Sequence, residues 1–89
     1  MSIDAATSKA IIYPNPSANF FNLWLANEEE QSIEIVVYDL SGRTAEHISS
    51  TANSPDLSFG KDLQTGIYFV KVLLDGELTN VFRVQKVME

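Results

Sequence analysis

The side chains able to perform acid–base or nucleophilic chemistry are few in this 89-residue chain. His47 is the only histidine, so a site built on a histidine pair is excluded. Residue types alone leave a Ser-His-Asp arrangement open, but there is no Gly-x-Ser-x-Gly motif, and nothing places a serine and an aspartate beside His47. We therefore interpret His47 as a surface residue of a strand and predict that the chain is not an enzyme.

Four aspartates are candidates for holding a cation: Asp39, Asp56, Asp62 and Asp75. A calcium site needs several oxygen ligands around one ion, and no stretch has the dense Asp/Asn pattern of an EF-hand. Each aspartate stands close to Gly, Ser or Pro, a placement typical of turns. The chain has no cysteine, which excludes disulfides and thiolate metal sites. We predict neither a metal nor a cofactor.

Three aromatic residues, Tyr13, Phe20 and Trp24, have two interpretations. Together they suit a platform for sugar or peptide, as in a binding module attached to a secreted enzyme. Alternatively, they cover the second sheet, because a small sandwich needs large residues to fill its core. The second interpretation predicts that they contribute to the core.

Overall charge and hydropathy restrict the partners. The formal net charge is -6, with no basic stripe, which argues against nucleic-acid binding. No apolar run approaches the roughly 20 residues of a membrane-spanning helix. Residues 1–9 lack the basic start and apolar middle of a secretory signal and read as a linker or chain end. The chain therefore either stays inside the cell or is part of a longer protein.

Residues 63–76 carry the clearest strand signal. A β-branched and aromatic run follows Gly66, and Asp75-Gly76 is a strong hairpin turn. Because side chains alternate along a strand, four residues of this run share one face: Tyr68, Val70, Val72 and Leu74. The run has so little polarity that we expect it to lie centrally in a sheet.

The rest of the chain predicts further short strands with turns between them. The strand-like stretches are 10–13, 20–25, 32–40, 43–49, 56–59 and 78–86, of which 56–59 is assigned to an edge. The expected inward residues are Phe21, Leu23, Leu25, Ile33, Ile35, Val37, Phe82 and Val84. Residues 50–55 read as a loop. About seven short strands without a helical period favour an all-β sandwich.

Three motifs in this order resemble the type A C-terminal sorting domain of the type IX (Por) secretion system. They are residues 12–16 (Ile-Tyr-Pro-Asn-Pro), 37–43 (Val-Tyr-Asp-Leu-Ser-Gly-Arg) and 63–72 (Leu-Gln-Thr-Gly-Ile-Tyr-Phe-Val-Lys-Val). The resemblance runs from about Ala10 to the C-terminus and divides the chain into residues 1–9, a linker, and 10–89, the sorting domain. It implies an Ig-like antiparallel β-sandwich.

The resemblance also implies a function. Such domains stand at the end of larger carrier proteins of Bacteroidetes-type bacteria, direct them from the periplasm to the outer-membrane surface or beyond, and are typically removed by a surface sortase. The expected partners are the translocon and that sortase. The absence of an N-terminal signal then fits a fragment of such a carrier.

The resemblance assigns structural roles to the motif residues Pro14, Asn15, Pro16, Tyr38, Asp39, Gly42, Gly66 and Tyr68, and expects Tyr38, Tyr68 and Val70 to fill or flank the core. It places recognition in the last strand and terminus, here Arg83, Val84, Lys86, Val87, Met88 and Glu89. Relatives often end on an apolar pair and a lysine, whereas this chain ends on Glu89.

Overall fold

The described part of the chain is a two-sheet β-sandwich. The computed structural model describes residues 10–25, 32–50 and 56–88. Its seven strands are β1 Ala10–Tyr13, β2 Phe21–Leu25, β3 Ile33–Asp39, β4 Thr44–Ser50, β5 Asp56–Phe59, β6 Gly66–Leu74 and β7 Glu77–Lys86. One antiparallel sheet has the order β1-β2-β5 and the other β4-β3-β6-β7. The predicted all-β sandwich and strand count are confirmed, with β5 at a sheet edge and β6 inside the larger sheet.

The core lies between the inner faces of the two sheets. Twelve buried apolar side chains form it: Phe21, Leu23, Leu25, Ile33, Ile35, Val37, Phe59, Tyr68, Val70, Val72, Leu74 and Val84. In β2, β3 and β6 these residues alternate with outward-facing ones, as the period of two along a strand requires. Of the predicted inward residues, only Phe82 is half-buried rather than buried, and it packs against the core cluster from the edge strand β7.

The β6–β7 hairpin turns at Asp75-Gly76, as predicted. Both residues have positive φ (51° and 83°), the combination that a two-residue type I′ turn needs. The Asp75 carboxylate accepts the Ser32 amide at 3.0 Å, and the Asp75 amide donates to the Ser32 carbonyl at 2.8 Å. The turn therefore ties the hairpin to the start of β3.

The Pro-Asn-Pro corner moves the chain from one sheet to the other. β1 pairs with β2, but Ser17, just after the corner, forms a parallel bridge with Lys86 of β7. Both X-Pro bonds of the corner, Tyr13-Pro14 and Asn15-Pro16, are cis. Because the prolines donate no backbone hydrogen bond, they suit a point where strand pairing changes partner.

The position of Trp24 and two predicted connecting segments remain to be compared with the fold. Trp24 lies on the outer face of β2, half-buried and outside the core cluster, so it covers the smaller sheet from outside and does not fill the core. Its neighbours in β2, Leu23 and Leu25, take the inner face instead. The linker predicted at 1–9 and most of the loop predicted at 50–55 lie outside the described residues.

Candidate recognition surface on the last strand

The predicted recognition residues lie at the end of β7 and just after it, and they differ in exposure. Val84 and Lys86 point into the sandwich and are 1% and 5% exposed. Arg83 is exposed on the opposite face, and Val87 and Met88 follow the end of the strand, with Met88 82% exposed. Glu89 lies outside the described residues. In the folded domain, a partner can reach the Arg83 and Met88 side chains but not those of Val84 and Lys86.

The buried Lys86 ammonium fastens the end of β7 to a turn after β5. Its Nζ donates to the Gly60 carbonyl at 2.5 Å and to the Lys61 carbonyl at 3.0 Å. On the other side of the same residue, the Gly60 amide donates to Glu46 Oε1 at 2.9 Å. A cation on β7 and a carboxylate on β4 therefore hold Gly60 from both ends. This contact crosses the end of the sandwich, and a buried charge that is hydrogen-bonded in this way avoids much of its desolvation cost.

Asn15 and Ser17 cover part of the outer edge of β7. The Asn15 side-chain amide donates to the Arg83 carbonyl and accepts the Gln85 amide, both at 3.0 Å. The Ser17 backbone donates to the Gln85 carbonyl at 3.0 Å and accepts the Val87 amide at 2.9 Å. The Pro-Asn-Pro motif therefore completes hydrogen bonds that an edge strand otherwise leaves to solvent.

Aromatic and cationic side chains share the outer face of the larger sheet. The strand register places Phe69 between Tyr38 and Arg83, and Lys71 beside Val81. The Lys71 ammonium lies 4.9 Å from the centre of the Tyr38 ring, within the range of a cation–π contact. Tyr38 therefore flanks the sheet from outside, whereas Tyr68 and Val70 belong to the core.

The Asp39 carboxylate organises the β3–β4 turn. Its Oδ1 accepts the Ser41 hydroxyl at 2.6 Å and the Ser41 and Arg43 amides at 2.9 and 3.0 Å. These hydrogen bonds, the hydroxyl's first, hold the pKa of Asp39 below its ordinary value of 3.8. The Gly42 amide closes the turn on the Asp39 carbonyl at 3.0 Å. Asp39 and Gly42 therefore stand at the first and fourth positions of this turn.

His47 is exposed on β4, as predicted, and contacts a residue that sequence reasoning did not pair with it. Its Nε2 lies 2.5 Å from Glu34 Oε2 on the neighbouring strand β3. Among the described residues, this contact joins His47 to a carboxylate rather than to a serine. In those ranges, no three His, Asp or Glu side chains are grouped to hold a metal ion. Within the same part of the chain, no helix is long and apolar enough to cross a membrane.

The other aromatic candidates lie outside the core on the smaller sheet. Ile11 and Trp24 are register partners on its outer face, and Tyr13 pairs with Asn22 one step along. Phe20 is exposed just before β2 and borders a groove of about 240 Å³ beside the Gly60 turn. The three predicted residues therefore do not form one continuous platform: Tyr13 and Trp24 share a face, and Phe20 lies at its end.

Sequence reasoning missed the roles of Ser17 and Gly60. Ser17 is 5% exposed, and its hydroxyl donates to the Phe20 carbonyl at 2.8 Å. A Cβ added to Gly60 would stand 2.8 Å from Phe21 Cδ2, and its φ is +86°. The sequence Gly60-Lys61-Asp62 predicts a turn. No local signal shows that this turn packs on Phe21 or that its carbonyl groups accept hydrogen bonds from Lys86.

Fold and surface together define the class: a small β-sandwich whose polar side chains mainly serve the fold and whose last strand lies at a sheet edge. A family model described as "Secretion system C-terminal sorting domain" matches residues 11–85, which include all three sequence motifs. The chain belongs to this family, whose members are non-catalytic signals for type IX secretion to the cell surface or the extracellular space. Comparison with curated proteins and with solved structures found no match.

Proposed function

We propose that residues 10–89 form a type A sorting domain that takes a carrier protein from the periplasm through the type IX translocon to the outer-membrane surface. The observation that carries this proposal is the family match over residues 11–85, which spans β2 to β6 and most of β7. Three ordered motifs support the subtype. In this function the domain is an address, and the carrier supplies any enzymatic activity.

Recognition is proposed at Arg83, Val84, Lys86, Val87, Met88 and Glu89. The structure supports two different roles among them, because some of these side chains are exposed and others are buried. Arg83 and Met88 present side chains to solvent, whereas Val84 and Lys86 anchor β7 in the sandwich. Changes at the exposed positions should therefore affect export without unfolding the domain, whereas changes at the buried ones should affect both.

A reporter fused in front of residues 1–89, with a periplasmic signal, tests this proposal in a type IX-competent cell. Surface delivery is expected to fall for Arg83→Glu and Met88→Glu, with thermal stability unchanged. Thr44→Glu, at an exposed position on β4, serves as the matched control and should export normally. Normal export of both β7 variants would overturn the placement of the recognition residues.

Removal by a surface sortase is part of the same proposal. We place the cleaved bond in the linker at 1–9, ahead of β1. The mass of the surface-delivered reporter tests this directly. A product that lacks residues 10–89 is expected, and a reporter that still carries the whole domain would contradict it.

A second function, an accessory module for carbohydrate or protein, is favoured by one observation. Ile11, Tyr13 and Trp24 lie on the outer face of the smaller sheet rather than in the core. Titration of tryptophan fluorescence with polysaccharides tests it. A saturable change in tryptophan fluorescence would support this function, and an unchanged spectrum would argue against it.

A further inference from the structure

On the outer edge of β7, a short stretch of backbone hydrogen-bonding groups faces away from the sheet, between two stretches where such pairing is blocked or already made. Asn15 and Ser17 close the edge from the Arg83 carbonyl to the Val87 amide. Alternate residues of a strand direct their backbone groups to the same edge. Val81 therefore directs its N–H and C=O, and Arg83 its N–H, to this side, where β7 has no neighbouring strand among the described residues. We call these three groups the β7 opening.

The opening is bounded on its other side by an irregularity near the hairpin. β6 residue Val72 pairs with Asn80, but the next residue, Leu73, pairs with Leu78, so Thr79 is an extra residue on β7. The Thr79 hydroxyl donates to the Val72 carbonyl at 3.2 Å. Such bulges interrupt regular pairing along an edge. Only a short segment, centred on Val81, can therefore add to β7.

Next to the opening lies a surface of mixed apolar and cationic character, the β6–β7 patch, formed by Phe69, Lys71, Val81 and Arg83. Phe69 and Val81 are 39% and 55% exposed. Phe69, Lys71 and Val81 border a groove of about 400 Å³. A strand added at the opening places its outward side chains directly beside this patch, because cross-strand neighbours share a face.

The charges of this face favour a partner with carboxylates. Its two nearby carboxylates already have partners, since Glu34 contacts His47 and Asp39 binds the Ser41–Arg43 turn. By contrast, the Arg83 guanidinium forms no ion pair within the described residues. The net charge of -6 acts mainly over longer distances, and at physiological salt it is screened beyond about 8 Å. At contact distance, the Lys71 and Arg83 cations dominate.

We propose that the β7 opening and the β6–β7 patch bind an extended acidic segment of a partner protein by strand addition. The segment runs antiparallel to β7, because Val81 offers an N–H and C=O pair that one opposite residue can satisfy. An apolar side chain lies opposite Val81, and a carboxylate two residues earlier in the segment reaches Arg83. The proposal rests on the proposed function only for the cellular source of the segment.

A second copy of this chain fits the opening less well. Pairing two β7 edges brings the Lys71 and Arg83 cations of both copies to one side of the joined sheet, and each copy carries a net charge of -6. Like charges opposed across an interface are unfavourable. We therefore treat self-association as an outcome of the test.

The test uses the purified 89-residue chain and a blocked synthetic peptide, Ser-Glu-Thr-Val-Thr-Ser. Two control peptides change one group each: lysine replaces the glutamate, or an N-methyl group replaces the valine amide hydrogen. Amide chemical shifts map the binding site. We expect shifts at Val81 and Arg83 but not at Gln85, whose amide stays bonded to Asn15. Each control peptide should bind about tenfold more weakly.

Two protein variants complete the test. Arg83→Gln should weaken binding of the glutamate peptide about tenfold, and it should strengthen binding of the lysine peptide because it removes a like charge opposite the lysine. Val81→Pro removes an N–H that faces outward, so it breaks no bond to β6, and it should abolish binding. Equal binding of all three peptides, shifts confined to other strands, or concentration-dependent dimerisation through Val81 would each overturn the proposal. None of these results depends on export in cells, so failure here is distinct from failure of the sorting function.

Discussion

The Lys86 ammonium lies 2.5 Å from the Gly60 carbonyl oxygen and so joins the end of the last strand to the turn after β5. The two residues are 26 positions apart: Lys86 ends β7 of the larger sheet, and Gly60 directly follows β5 of the smaller sheet. The contact connects the C-terminal end of β7 to the sandwich through a side chain rather than through strand pairing.

Replacing the buried ammonium should destabilise the domain. Lys86→Met keeps a similar length but leaves the Gly60 and Lys61 carbonyls without this donor. We expect a loss of about 1–3 kcal/mol in the free energy of unfolding, measured by urea denaturation. Lys61→Met, at an exposed side chain, is the control and should change stability by less than about 0.5 kcal/mol. Equal stability of the two variants would show that the Lys86 contacts contribute nothing.

The close approach of Gly60 to Phe21 can be separated from its backbone angle. Gly60→Ala meets Phe21 Cδ2 at 2.8 Å and has φ +86°, whereas Gly42→Ala has φ +90° but nothing within 4 Å. We expect Gly42→Ala to cost about 1–2 kcal/mol from the angle alone, and Gly60→Ala to cost about 1–3 kcal/mol more from overpacking. Thermal denaturation of the two variants measures the difference. Identical melting temperatures would contradict the packing argument.

Asn15 should protect the edge of β7 from solvent. Asn15→Ala removes both side-chain bonds to β7, while Asn15→Asp keeps the acceptor for the Gln85 amide and loses the donor to the Arg83 carbonyl. Hydrogen exchange at the Gln85 amide is therefore expected to accelerate in the alanine variant and much less in the aspartate variant. Unchanged exchange in Asn15→Ala would mean that the corner does not close this edge.

Asp39 should make stability depend on pH in the acid range. Its pKa in the folded state lies below the ordinary 3.8, because the Ser41 hydroxyl and the turn amides favour the ionised form. The contribution is therefore complete above pH 3.8 and is lost as the pH falls through the folded-state value. The urea midpoint of the wild type should fall more steeply than that of Asp39→Asn below about pH 4. Parallel curves would contradict this assignment.

The sequence predicts the sandwich well because the alternation is local and strong. In β2, β3 and β6, each buried position carries a large apolar residue, so the buried face follows from a period of two. Size alone favours a core position for Trp24, whereas its place in the alternation, between the inward Leu23 and Leu25, predicts the outer face on which it lies. Periodicity is the better guide here than residue type.

Polar contacts between residues far apart in the chain could not be predicted from the sequence. Lys86 with Gly60, Asn15 with Arg83 and Gln85, and Glu34 with His47 depend on how strands from distant positions meet. Nothing in a single sequence marks a lysine as buried, because lysine is usually exposed. The recognition residues themselves stay a prediction, and the structure adds which of their side chains are accessible.

Loss of β7 should expose a long apolar strand edge. β6 pairs with β7 along its whole length, so deletion of residues 81–89 leaves much of that edge unpaired. An unpaired apolar strand is a template for aggregation. Light scattering should therefore detect aggregates in the truncated chain. A soluble, monomeric truncation would contradict the role of β7 in closing the sheet.

The central claim is that this domain is sufficient to sort a carrier for type IX secretion. The most direct measurement is the fraction of a periplasmically targeted reporter that reaches the cell surface or medium when it carries residues 1–89 at its C-terminus. We predict efficient delivery in a type IX-competent strain and retention in the periplasm of a translocon-deficient strain. Reporter that stays in the periplasm of both strains, although the domain is folded, would contradict the account.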